Sequence, residues 1–257
     1  MDYAVRYFVS FFEDFSAPAI GLAIALGAVW LACYWPPLFK KPWLWAVLVS
    51  SAFLTLAAGR FIQRPLVHWL FQAQVHQSQQ VLRSLISLAV IPLVGGLVVE
   101  GAKMVPMVVY WKRSGKNIDP KLGLAIGAVA GAGFGILQTG WVLGYEGYFF
   151  EFFNPSSING FLCTSFTVAA QIAFSALAGY GLARGRGWQF YLIASGLHGL
   201  LSLAWLVFPN TSIIFESCYS LGACVYTAVL SALVTAWALW LRWRKRAATA
   251  DTTTSSQ

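Results

Sequence analysis

Three places in the 257-residue chain combine residue types and spacings that could do chemistry: Glu100 with Lys103, Gln138, and His198. Glu100 and Lys103 are three residues apart, so on a helix they share a face and can pair. Such a pair reads in two ways. It is a neutralised structural ion pair, or it is a carboxylate general base whose proton affinity is set by burial and by the lysine. His198 has Ser195 at i−3 and Ser202 at i+4 on its own face. A Ser–His dyad is poorly supported, because same-helix geometry is loose and no strained nucleophile turn is present. Gln138 brings an amide that can bond a neighbouring helix or orient a reacting group, and that is costly to leave unpaired.

All three places lie in long apolar stretches. The chain is 58% hydrophobic and only 10% charged, with a mean hydropathy of +0.67. A soluble domain carries about a quarter of its residues as charges, so lipid must cover much of this exterior. Runs at 17–35, 42–59, 122–145, 152–183, 187–208 and 217–241 contain no Asp, Glu, Lys or Arg, and 84–111 contains only Glu100 and Lys103. Each is long enough to cross a bilayer as a helix, which takes roughly 20 residues with a range of about 17–25. The ten-residue alternating segments of a transmembrane β-barrel are absent. The expected fold is an all-α, polytopic membrane helix bundle. It has seven spans, near 17–35, 42–59, 84–111, 122–145, 160–183, 187–208 and 217–241. Residues 1–246 form one domain, and a Thr/Ser-rich cytoplasmic tail at 247–257 is expected to be disordered.

Charge sets the orientation. With the N-terminus outside, the inner segments hold twelve of the seventeen basic residues, in four groups at 40–41, 112–121, 184–186 and 242–246. Outer segments keep Arg6, Arg60, Arg64 and Arg83 beside Glu13, Asp14, Glu146, Glu151 and Glu216. Every second loop is basic, which places the C-terminus in the cytoplasm. The net charge of +8 is thus a record of topology and no sign of nucleic-acid binding. The N-terminus lacks the basic leader of a cleaved signal peptide. Tyr3–Phe12 is expected to lie along the interface as a short aromatic helix.

Other features carry less chemistry. Gly123, Gly127, Gly131 and Gly135 recur every four residues, a stripe that admits another helix backbone to backbone. Arg60–Arg83 reads as an amphipathic surface helix started near Pro65, with His68 and His76 on similar faces. Solvated surface histidines fit better there than a metal site. Cys33, Cys163, Cys218 and Cys224 lack metal-site spacing. Cys163, Cys218 and Cys224 fall near outer span ends, where a disulfide is open to them in an oxidising compartment. Packing as small apolar residues is the plainer reading.

The three polar places resemble the motifs of the PrsW-type intramembrane proteases, in the wider group that includes the CAAX prenyl endopeptidases. That family's pattern is EExxK on one span, FxxxE on the next and HxxxD further on. The matching stretches are Val99-Glu100-Gly101-Ala102-Lys103, Phe134 to Gln138, and His198 to Ser202. Val99, Gln138 and Ser202 stand where the family has Glu, Glu and Asp. The resemblance covers roughly Ser84–Phe208. It implies an intramembrane endopeptidase in which Glu100 is the general base, His198 positions water, Gln138 supports the oxyanion or the water, and Lys103 tunes Glu100. Its substrate would be a membrane-anchored protein and its place the bacterial inner membrane. A divalent metal such as zinc, held by Glu100 and His198, or no metal at all, fits that reading. One carboxylate, one His and a neutral amide are a poor set for catalytic zinc.

The chain is similar, too, to the anterior pharynx-defective subunit of γ-secretase, which belongs to the same broad group. The likeness lies in seven spans, the GxxxG-repeat fourth span, the Glu-x-x-basic pair and the buried His of the sixth span, followed by Pro209-Asn210. A family His on the fifth span falls near Ser175. This likeness implies a non-catalytic scaffold that binds partner transmembrane helices. A transporter is a weaker reading, for which Pro106 is the one candidate helix break and no inverted repeat is evident.

Overall fold

A computed structural model describes residues 16–75, 80–144, 158–207 and 221–244. All regular structure among these residues is helical. The helices are α1 (Ala17–Ala32), α2 (Trp43–Ala58), α3 (Arg64–Val75), α4 (Gln80–Arg113), α5 (Pro120–Gly144), α6 (Ile158–Ala183), α7 (Gly187–Val207) and α8 (Leu221–Trp243). A single π-helical stretch, Gly59–Gln63, joins α2 to α3 without a break. Seven rods result, and the protein is a polytopic helical membrane bundle. Five are long and apolar enough to cross a bilayer. At 16 residues α1 is apolar but shorter. The 21 residues of α7 would reach about 31 Å, with Gln189 and His198 diluting its apolar character.

The polarity of the bundle is reversed relative to a soluble protein. In α8, Thr227, Ser231 and Thr235 are buried at four-residue spacing, whereas Val229 is 54% and Leu233 66% exposed. Water would penalise that arrangement and lipid favours it. The buried hydroxyls tie helices together. Ser231 Oγ donates to the Phe166 carbonyl at 2.7 Å, and Ser51 Oγ to that of Ala130 at 2.6 Å. Trp30 Nε1 donates to Ser165 Oγ at 3.0 Å, linking α1 to α6.

The central pair is α5 and α6. A Cβ on Gly127 would strike the Ser175 carbonyl, one on Gly131 that of Gln171, and one on Gly123 would lie 2.6 Å from that of Gly179. Three of the four stripe glycines are therefore required by backbone contact. Gly135 is not among them: its Cβ would meet Val168 at an ordinary 3.5 Å. The opposite side of α5 uses Gly133 in the same way against the Leu48 carbonyl of α2.

Local chemistry sets the ends that matter. After α4, Gly115 and Lys116 take φ of 65° and 62°, turning the chain inside the basic loop. Asp119 then caps α5, its Oδ2 accepting from the backbone N–H of Lys121 at 3.0 Å and of Leu122 at 3.2 Å, with Pro120 as first helical residue.

Two expectations change. Residues 60–75 are not a separate helix started near Pro65; they continue α2 through the π turn. Nor does Pro106 break a helix, since α4 runs on through Pro92 and Pro106. The N-terminal segment, residues 145–157 with Glu146 and Glu151, His76, Cys218, Pro209-Asn210 and the 247–257 tail lie outside the described residues.

Candidate functional site

Two close helix crossings build the site. In the first, Gly96 of α4 lies against the Ser195 carbonyl of α7, and Gly199 reciprocates against Pro92. Glu100 is one turn beyond Gly96, and His198 lies between Ser195 and Gly199. The missing side chains thus bring the carboxylate and the imidazole together. In the second crossing, Gly127 and Gly131 admit the backbone of Ser175 and Gln171, whose side chains reach the same place from α6.

The result is a closed polar network. Glu100 Oε1 accepts from Lys103 Nζ at 2.6 Å and faces His198 Nδ1 at 2.9 Å. Its Oε2 accepts from Ser175 Oγ at 3.2 Å, and Lys103 Nζ also donates to Gln171 Oε1 at 2.5 Å. Glu100 and Lys103 are entirely buried. Phe134 lies under the ammonium, 4.8 Å from Nζ to ring centroid, a cation–π contact to a fully buried charge. The rings of Phe134 and Phe174 flank His198 at 6.4 and 6.3 Å.

The tautomer of His198 follows from its partner. A carboxylate only accepts, so Nδ1 carries the proton and Nε2 the free lone pair in the neutral ring. Nε2 has no partner among the described residues, and the side chain remains 10% exposed. A carboxylate-held imidazole with an unengaged nitrogen is the arrangement of a general base. Comparison with known proteins finds no matching family model, curated protein or solved structure. The reading of this site therefore rests on its own geometry.

Of the candidate residues, Glu100, Lys103 and His198 meet, and Gln138 does not join them. Gln138 lines a separate cavity of about 350 Å³ with Thr55, Arg60, Gln63 and Arg64. Its Oε1 is buried without a hydrogen-bond partner among the described residues. Phe134 and Val99 belong to the wall of that cavity, so it adjoins the network. Ser202 turns back on its own helix, donating to the His198 carbonyl at 3.0 Å.

Gln171 escaped notice as a site residue, and Ser175 entered only as a position where a relative has His. Their signal was present: two polar side chains four residues apart in an uncharged span share one face.

A metal does not fit this donor set. No group of three or more His, Cys, Asp or Glu side chains gathers among the described residues. The oxygen that faces His198 also holds the Lys103 ammonium. A divalent cation would have to displace that charge and would then have two protein ligands, against the three usual for catalytic zinc.

Proposed function

We propose that the protein is an intramembrane hydrolase of the PrsW-like kind, acting on membrane-anchored polypeptides in a bacterial inner membrane. One observation carries this reading: His198 Nδ1 is held 2.9 Å from a buried carboxylate while Nε2 has no partner among the described residues. The roles differ from those expected of the motif. Glu100 is too fully engaged to take a proton from water, and His198 takes it instead.

In the derived mechanism, Nε2 removes a proton from a water molecule as its oxygen bonds to the scissile carbonyl carbon. Glu100 stabilises the imidazolium so formed and fixes its orientation. The imidazolium then returns the proton to the leaving nitrogen as the C–N bond breaks, restoring neutral His198. Lys103, Gln171 and Ser175 keep the carboxylate ionised and aimed; they are positioning residues.

The test is peptide-terminus profiling of membranes from cells expressing the wild type, Glu100→Gln, His198→Ala or Ser202→Ala at matched levels. Termini that depend on the protein should vanish in the first two variants and persist in Ser202→Ala. Cleavage that survives both Glu100→Gln and His198→Ala would sink the hydrolytic reading.

A second reading has its own support. The network gives both carboxylate oxygens of Glu100 and the ammonium of Lys103 partners across α4, α6 and α7, which suits a scaffold locked for binding partner helices. In that case the termini are identical in all four samples. Glu100→Gln would instead release a co-purifying membrane partner.

A further inference from the structure

The cavity beside the network has a composition of its own. Its apolar walls include Leu56, Val67, Ile91 and Leu137, and its polar groups gather toward the π turn. Along outward-running helices, Arg60 is 17 residues past Trp43, the start of α2, and Gln138 is 18 past Pro120, the start of α5. They therefore lie at similar heights, about 26 Å from the inner ends. This is the depth at which a lipid's head group meets its acyl chains.

Three observations point to an anionic occupant with a donor. Basic residues are scarce on the outer side, yet Arg60 and Arg64, four apart, both line this one cavity. Both residues already have interactions of their own, and the five N–H donors of a guanidinium can serve an anion beside another partner. The Gln138 Oε1 needs a donor. The π turn, Gly59–Gln63, supplies Gly59, Arg60 and Gln63 to the wall, and such turns often mark functional sites. At about 350 Å³ the cavity is within the range of small-ligand sites, roughly 300–1,000 Å³.

We infer that this cavity binds the head group of an anionic, hydroxyl-bearing phospholipid such as phosphatidylglycerol. The phosphate diester lies between Arg60 and Arg64, a head-group hydroxyl donates to Gln138 Oε1, and the acyl chains leave over the apolar wall. The site is independent of the hydrolytic reading. Two guanidiniums favour a lipid of net negative charge over zwitterionic phosphatidylcholine, whose choline cation they repel, and the amide adds a preference for a hydroxylated head group.

Native mass spectrometry of the full chain, released from micelles holding equimolar phosphatidylglycerol and phosphatidylcholine, tests this. The wild type should retain one phosphatidylglycerol per protomer. Arg60→Gln/Arg64→Gln, which removes both guanidinium contacts, should lower its preference over phosphatidylcholine by about tenfold or more. Lys40→Gln/Lys41→Gln, on the inner side, should leave the preference unchanged. An unchanged preference in the arginine variant overturns the site, as does an equal loss in the lysine variant. Displacement of the lipid by equimolar inorganic phosphate would show a soluble-anion site and overturn the lipid assignment. Should the arginine variant not fold, the wild type still decides. Its thermal midpoint must rise on moving from phosphatidylcholine to phosphatidylglycerol micelles, and no rise overturns the inference.

Discussion

Gly127 of α5 lies against the carbonyl of Ser175, and the Ser175 hydroxyl donates to Glu100 at 3.2 Å. A packing glycine and a site residue are thus two ends of one contact. Gly127→Ala forces α5 and α6 apart and should destabilise the bundle by about 1–3 kcal/mol, the usual cost of overpacking, with Gly127→Val worse. Gly135→Ala, whose Cβ would meet Val168 at 3.5 Å, and Gly21→Ala, which meets nothing within 4 Å, should be near neutral. Thermal unfolding in detergent measures all four. Equal losses at Gly127 and Gly135 would mean that the stripe packs differently.

The buried Glu100–Lys103 pair makes a prediction independent of any activity. Removing one partner strands the other charge, so Glu100→Gln or Lys103→Met alone should cost about 3–5 kcal/mol. The double variant should recover a large part of that loss, because no lone charge remains. A double-mutant cycle on unfolding midpoints gives the coupling. Additive losses would show that the two side chains do not depend on each other.

How much of this was legible beforehand depends on the range of the signal. The helical class and the apolar runs from which α5 (Pro120–Gly144) and α6 (Ile158–Ala183) are built follow from local composition. The Glu100–Lys103 pair was legible because it is three residues apart on one helix. Its meeting with His198 was expected only from resemblance, since nothing local fixes a contact between residues 98 apart. Gln171 and Ser175 share a face of one span, but that spacing alone does not say which residues on other helices they meet. Gln138 was grouped with the site through motif order and depth, but its rotation about α5 turns it into the neighbouring cavity. The continuation of α2 through Gly59–Gln63 was hidden by Pro65. That proline reads as a helix start, yet it also fits within a helix whose regular bonding is already interrupted by a π turn.

Cys163 and Cys224 offer a check on the register of α6 against α8. Their thiols lie next to one another, and neither is in a disulfide. Each is about one turn from the helix end expected on the outer side. A mild disulfide oxidant should therefore join them within one chain, with two thiols lost and the oxidant reduced to its dithiol. Counting alkylatable thiols before and after treatment reads the bond, and Cys163→Ser should abolish it. A wild-type chain that keeps every thiol under oxidant would place the two helices in another register.

The donor set around Glu100 bears on metal dependence. Zinc binding there would require Lys103 to leave Oε1 and a third ligand to arrive from outside the described network. Purified protein should therefore retain well under one zinc per chain after dialysis, and a chelator should leave its unfolding midpoint unchanged. Lys103→Met supplies the sharper comparison, since it removes the ammonium that competes for the carboxylate. Any gain in zinc retention should appear in that variant and not in the wild type. Stoichiometric zinc in the wild type, lost in both Glu100→Gln and His198→Ala, would reverse the assignment and make the pair metal ligands.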